Sequence, residues 1–462
     1  MPSVRSIMHR DRSYWFDAAS PHAPSEPLRG ERPYDVCVIG AGVTGLSTAF
    51  HLRKLDPAIR VCVLEAEVVG YGASGRNAGQ LIVQFGGGSY DDHIKMFGAE
   101  NVGAAWRYVA NGIRLMEALQ AAEQIDCDYA ATGYMKAALE VEGPAGIERY
   151  MAFLERIGQA EHFQAMEAGS LQEEFASPYL GAGLHDRRGG QFNPLKFVRG
   201  LAAAAKRLGA DIFEHSPVAH IDLGAPQIVV ETGMGQVRCE KLVIATNGYT
   251  HLLPGAAQAG LARQQRPLII KGTITEPLTA QQWEATGWRR RCGLNIVSDL
   301  FYSFAPTADG RILHVGGYYA GAPTDRSLTP EVDWRLKLEG AEHVAAFFPR
   351  LTGLRTAQTW GGPISITADW APHVGQAADR RIAYAVGCWG HGMGLGTHNG
   401  LTLAEITLER ATENTGLWFV RRPKPNWPPR RLTNLVSDRV IADRRKKSRR
   451  IGAKLRPPLR FG

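Results

Sequence analysis

At 462 residues, with 44% apolar and 21% charged side chains, the chain has a globular make-up too long for one ordinary core. No apolar run reaches the ~20 residues of a membrane span, and no apolar signal core follows Met1, so neither a transmembrane helix nor export is expected. The net charge of +8 is local: fifteen Lys and Arg against Asp438 and Asp443 follow from Arg421, leaving 38 of 53 basic and 43 of 45 acidic residues to a mildly acidic body.

Residues 1–30 carry Ser13-Tyr14-Trp15-Phe16 and a Pro/Ser stretch, an extended lead-in pinned by its aromatics. The stretch 34–45 then organises the chain. Val36-Cys37-Val38-Ile39 reads as a buried strand, broken by Gly40-Ala41-Gly42-Val43-Thr44-Gly45 into a helix through Leu46, Ala49, Phe50 and Leu52. Gly40 permits the turn, Gly42 lets backbone approach a pyrophosphate, and Gly45 lets helix and strand pack closely. The N–H groups of Val43 and Thr44, at the positive end of that helix, would receive phosphate. A second apolar run, Val61-Cys62-Val63-Leu64, ends in Glu65, twenty residues after Gly45, with Ala66 beside it. That spacing suits a carboxylate that accepts ribose hydroxyls. The sequence therefore predicts a dinucleotide site.

Val69 to Gln80 holds Gly70, Gly72, Gly75 and Gly79, a loop whose backbone comes close to something flat. Its candidate contacts are Ser74, Gly75, Arg76, Asn77, Gly79 and Gln80. Residues 91–175 read as helical, with Trp106, Val109, Ile113, Met116 and Leu119 at core spacing. Asn193 before Pro194 predicts a capped helix to Leu208. Short strands follow at 211–214 and 216–221, then a hairpin over 228–239. Lys241 to Ile244 resumes the buried sheet and ends in the small-residue turn Ala245-Thr246-Asn247-Gly248.

Strands with many aromatics are expected at 267–270, Leu300-Phe301-Tyr302-Ser303-Phe304 and 311–315, and a helix from Pro330 to Phe348 with Leu338 and Val344 among its apolar positions. The strand 382–386 opens into Gly390-His391-Gly392-Met393, a second glycine-rich helix start. The run Arg444 to Arg450 is a solvated charge segment, of the kind that is usually disordered. The six scattered cysteines form no C-x-x-C pair, which suits a reduced, cytoplasmic protein; no metal site is indicated.

Taken together, Gly40-x-Gly42-x-x-Gly45, Glu65, Gly75 to Gln80, Ala245 to Gly248 and Gly390-His391-Gly392 resemble the D-amino-acid oxidase/glycine oxidase superfamily of flavoproteins, most of all its γ-glutamylputrescine oxidase branch, over about residues 10–440. The resemblance implies an α/β fold: a discontinuous Rossmann-type FAD-binding domain (31–85, 175–255, 355–415). A second, α+β substrate domain on an antiparallel sheet (86–174, 256–354) would follow, then a basic tail (416–462). It also implies oxidation of the C–N bond of an amine or amino acid to an imine, by hydride transfer to flavin N5, with O2 or another acceptor. Carried over residue by residue, Gly40, Gly42 and Gly45 would hold the pyrophosphate and Glu65 the ribose. Ser74 to Gln80 would pass the flavin ring, Val218 would meet the adenine through its backbone, and Thr367 and Gly390 to Met393 would lie at the pyrimidine edge. Sarcosine oxidase-like relatives attach FAD to a cysteine in the loop before the last glycine motif; residues 360–370 hold none, so the FAD is expected to be non-covalent, with Cys388 non-attaching. His314 falls near the oxygen-activating Lys of those relatives; with His391 and Tyr302 it is a candidate catalytic residue. The chain departs from the family at Phe304-Ala305-Pro306, where relatives often carry an aromatic–aromatic–Arg run. Two other readings compete: a nucleic-acid-directed, tRNA-modifying flavoenzyme fed by the basic tail (which could equally meet an anionic membrane), and a non-catalytic flavin-binding module.

Overall fold

The computed structural model describes residues 12–224, 226–256, 258–297, 302–316, 334–429, 439, 442–443, 446–456 and 458. Leu300, Phe301, Pro330, Arg444 and Arg445 lie outside them.

After Trp15–Ala18, a short helix within the expected extended lead-in, come strands β1 (Gly30–Ile39) and β2 (Val61–Leu64), joined by the helix Val43–Leu55. Next in the chain are β3 (Tyr134–Leu139), β4 (Phe163–Met166) and β5 (Leu180–Asp186), among the helices Tyr90–Phe97, Ala99–Ala122, Ala145–Arg156 and Ala168–Phe175. The helix Pro194–Arg207 leads to β6 (Asp211–Phe213), β7 (Val218–Asp222), β8 (Ile228–Thr232) and β9 (Gly235–Ile244). Asn193 caps that helix, its Oδ1 accepting from the Leu195 and Lys196 N–H groups at 3.2 and 3.1 Å. Then follow β10 (Arg266–Thr275), β11 (Gly293–Ile296), β12 (Tyr302–Pro306) and β13 (Ile312–Gly316). The helix Trp334–Phe347 precedes β14 (Thr356–Ile366), β15 (His373–Gln376), β16 (Ile382–Val386) and the helix Gly392–Thr407.

The strands form two sheets. In the first, the order is β15-β16-β9-β1-β2-β6, with β8 also on β9 and β7 on β8. β1 runs parallel to both β2 and β9, and β16 parallel to β9. β1 is buried on both faces because it is central: Val36 and Val38 join the cluster under the helices, Cys37 and Ile39 the opposite one. The helices Val43–Leu55 and Gly392–Thr407 lie backbone to backbone, since a Cβ on Gly400 would fall 2.4 Å from Ser47 Cβ. β9 is one continuous strand, longer than the sequence suggested; its start pairs with β8 antiparallel and its length with β1.

The second sheet has the order β14-β10-β13-β12-β11-β3-β5-β4. It is mixed rather than wholly antiparallel, because β11 and β3 run parallel. Its outer face packs Met135, Leu294, Tyr302 and Phe304 against Val344 and Phe347 of the helix Trp334–Phe347. Leu338 of the same helix is 49% exposed.

Three expectations are corrected here. The 91–175 segment is not all helix: β3 and β4 lie within it, and β3 is buried at every position, so no alternation betrays it. β5 and β14, in segments assigned to the nucleotide layer, pair instead in the second sheet. Residues 446–454 of the basic tail are helical, with Leu455 buried and Ile451 packed in the second sheet's outer cluster. Two apolar residues four apart give that helix a docking face, which the charge count hides.

Candidate functional site: a cavity between the two sheets

A cavity of about 690 Å³ runs from the C-terminal end of β1 to the inner face of the second sheet. At its first end, Gly40 takes φ +105°, a turn open to glycine. A Cβ on Gly45 would sit 1.9 Å from Gly40 O, so only glycine lets the helix start against the turn. Gly42 is the N-cap of the helix Val43–Leu55, and the Val43 N–H donates to Ser74 Oγ at 3.0 Å. Glu65 is fixed by backbone: Ala41 N–H donates to Oε2 at 2.8 Å and Glu67 N–H to Oε1 at 3.1 Å. Burial pushes its carboxyl up to about 7 against those two donors, with Glu214 and Glu67 adding repulsion. Such a carboxylate gains from further hydroxyl donors.

The loop after β2 folds over the middle of the cavity. Arg76 Nε donates to Tyr71 O at 2.9 Å and Nη1 to Gly361 O at 3.2 Å, tying the loop to β14. Asn77 Nδ2 donates to Ser74 O at 2.9 Å, and the Gly79 N–H donates to Asn77 Oδ1 at 2.9 Å. The lead-in holds this loop from outside, Trp15 Nε1 donating to Asn77 O at 2.9 Å.

At the far end Gln80 joins loop to sheet. Its Nε2 donates to Ser303 Oγ at 2.7 Å and Phe304 O at 3.2 Å, and its Oε1 accepts from Asn295 Nδ2 at 3.1 Å. The helix Gly392–Thr407 points its N-terminus here, with His391 as N-cap. Burial, then the charge of Lys136, lowers the His391 imidazole to about 3, so it is neutral. Its Nδ1 is buried with no hydrogen-bond partner among the described residues. Asn247, in the left-handed region at φ +41°, donates from Nδ2 to Cys388 Sγ at 3.1 Å.

Most of the residues expected at the site line this cavity: Gly40, Gly42, Val43, Thr44, Glu65, Ala66, Ser74, Arg76, Asn77 and Gln80 at its floor and loop. Val218, Ala245, Asn247, Gly248, Gly390, His391, Gly392 and Met393 complete that lining. Gly45, Gly75 and Gly79 lie behind it and act through packing: Cβ atoms there would strike Gly40 O, Gly70 O and Phe192 O.

Three residues do not reach it. Thr367 Oγ1 donates to Ala371 O and accepts from Trp389 Nε1, bracing the loop that ends at Gly390. Tyr302 and His314 face the other side of the sheet. His314 Nδ1 lies 3.2 Å from Ser303 O and Nε2 3.2 Å from His343 Nδ1, and its ring stacks on Phe304. Burial, His343 and Lys271 hold that imidazole well below its usual pKa. The cavity receives Ser303, Val315 and Asn295 instead. Sequence reasoning missed these three; they sit in apolar or mixed runs where only strand parity decides the face.

The cavity suits FAD on its own terms. A glycine turn at a helix N-terminus and a buried Glu fill one end, and the lining continues without a break past Arg76 to Gln80, Ser303 and the second helix start. That is more length than a mononucleotide occupies, with amides and helix ends rather than carboxylates at the ring end.

Comparison with known proteins agrees. Residues 35–406 match the family model described as DAO, FAD dependent oxidoreductase. The chain is 31% identical to gamma-glutamylputrescine oxidoreductase of Escherichia coli over 403 residues, 85% of this chain and 88% of that protein. It is 30% identical to the probable oxidoreductase OrdL of Haemophilus influenzae over 406 residues, covering 86% and 88%. Its fold resembles the crystal structure of glycine oxidase from Geobacillus kaustophilus, with a TM-score of 0.70 and 23% identity, over 85% of this chain and 99% of that one. With four-fifths of its length in register with that model, from β1 to the helix Gly392–Thr407, the chain belongs to the DAO family of FAD dependent oxidoreductases.

Proposed function

We propose that this protein oxidises the C–N bond of a small amine or amino acid to an imine, using non-covalently bound FAD. The observation that carries the reading is the single cavity that joins a dinucleotide cradle to a polar, uncharged wall of Gln80, Ser303 and Asn295. The relatives' names support the substrate class, and γ-glutamylputrescine is the first compound to test.

FAD, when bound, supplies the two-electron acceptor; the protein supplies binding, orientation and exclusion of water. The N–H groups at the start of the helix Val43–Leu55 would meet the pyrophosphate, Glu65 would accept from the ribose, and Val218 would lie along the adenine. The positive end of the helix Gly392–Thr407 would favour negative charge gathering at the ring edge, with His391 offering a hydrogen bond and no charge. Ile270 and Val315 would keep that end dry while the amide wall orients the amine. Non-covalent attachment is supported by Cys388, whose thiol is taken by the Asn247 amide.

The test is direct. Purified protein should be yellow, release FAD on denaturation in acid, and lose its flavin absorbance anaerobically with the right amine. Peroxide release in air would then separate oxidase from dehydrogenase. Failure to take up flavin after reconstitution would overturn the reading.

A further inference from the structure

The helix 446–454 near the end of the chain has two unlike faces. Ser448, Gly452 and Leu455 are buried, and Ile451 packs with Leu455 in the outer cluster of the second sheet. These positions recur every three or four residues, so they form one inward stripe. The residues between them, Lys446, Lys447, Arg449, Arg450 and Lys454, are all exposed, as is Arg456 just beyond. Lys446, Arg450 and Lys454 stand four apart in one outward row, with Lys447 and Arg449 beside it. No Asp or Glu occurs between Lys446 and Arg456.

A charge run that is merely solvated has no inward face. This one is held against the protein with its cations gathered on the other side. Like charges four apart on a helix repel one another, and an anionic polymer lying along the row relieves that repulsion. Five cations over the ~12 Å of this helix give about one charge per 2–3 Å, close to the ~1.7 Å per charge of double-stranded DNA. An anionic bilayer suits the face less well. Helices that lie on membranes insert large apolar residues, and here Ile451 and Leu455 are turned inward while the outward residues are all Lys and Arg. The chain up to Val420 holds 38 basic and 43 acidic residues, so its bulk adds no net attraction for a polyanion. The helix is already ordered, so binding does not bear the cost of folding it.

We propose that the outward face of the helix 446–454 is a nucleic-acid-binding surface that grips the phosphodiester backbone by charge, without reading base sequence. The helix docks on the outer side of the second sheet, whereas the cavity opens against the inner side. Nucleic acid would therefore hold the protein by its end and leave the cavity to its own substrate.

The experiment uses the full-length, flavin-loaded protein and fluorescence anisotropy with labelled probes: two DNA duplexes of unrelated sequence and one RNA duplex. The two DNA duplexes should bind equally. Affinity for them should fall about 40-fold or more between 50 and 200 mM KCl, the dependence expected of at least three phosphate contacts. The combined variant Lys446→Gln, Lys447→Gln, Arg449→Gln and Arg450→Gln should bind at least ~20-fold more weakly at the lower salt. Its melting temperature and flavin content should stay the same, because all four side chains point outward. If that variant does not fold, Arg450→Gln alone should lower the salt slope by about one. Three outcomes would overturn the proposal: no binding to any duplex at low salt, binding that the substitutions leave unchanged, or tighter binding to phosphatidylglycerol vesicles than to the duplexes. None of them depends on whether an amine bleaches the flavin.

Discussion

Around Gly40 and Gly42 the cavity is lined by backbone, with N–H groups, a helix end and one carboxylate that is itself gripped by two amides. Around Gln80 it is lined by side chains brought from the loop, β11 and β12. The first end has little freedom: its shape depends on the absence of Cβ atoms, which at Gly40 and Gly45 would meet main chain. The second can be re-cut by exchanging side chains on a sheet that stays put. A cofactor common to a family is met by the first kind of surface, and a substrate that differs among relatives by the second.

This contrast can be broken or sharpened by substitution. The largest effect is expected from Gly45→Ala, whose Cβ would meet Gly40 O at 1.9 Å with no flexible side chain to give way. It should cost about 3 kcal/mol or more and reduce retained flavin at least tenfold, read by thermal melting and the flavin-to-protein absorbance ratio. Gly45→Ala protein that stayed yellow and stable would mean the cradle is not fixed by backbone.

Gln80→Leu removes three hydrogen bonds at once and strands Asn295 and Ser303. It should cost about 2 kcal/mol in stability and most of the activity, while flavin content holds within about twofold. Loss of flavin in step with activity would show that the two ends are not separable.

Glu65 offers a smaller, pH-dependent test. Its carboxyl is raised to about 7 in the cofactor-free fold, whereas ribose hydroxyls donate to the anion. FAD affinity should therefore rise with pH, about tenfold or ~1.4 kcal/mol from pH 6 to pH 8, levelling above 8. Glu65→Gln should flatten this dependence in calorimetric titration of the cofactor-free protein.

The least change is expected at His314, which faces the helix Trp334–Phe347. His314→Leu should lose ~1 kcal/mol by removing the contacts of the imidazole with His343 and Ser303 O, and should leave the flavin spectrum and KM as they are. A KM shift would mean that the outer face reaches the substrate.

What the amino-acid order discloses follows the same division. Gly40, Gly42, Gly45 and Glu65 belong to one strand–helix–strand unit, so spacing alone states their geometry. Arg76 and His391 stand next to glycine turns that point to them. The wall is different: residues 272, 295, 303 and 315 come from four strands, and only pairing register sets them in a row. Shifting by one residue exchanges faces, which is why Tyr302 and His314 end on the outer side and Ser303 and Val315 on the inner. The strand β3 is hidden further, in Tyr134-Met135-Lys136-Ala137-Ala138-Leu139, a composition that suits a helix until β5 and β11 pair with it.

The central position of β1 has a consequence for synthesis. Its neighbour β9 ends at Ile244, β16 pairs beyond that at 382–386, and the helix that covers Val43–Leu55 ends at Thr407. A nascent chain must therefore keep Val36 to Ile39 from aggregating until nearly the whole polypeptide has left the ribosome. A fragment stopped short of Thr407 should have no finished layer on which to hold the cofactor.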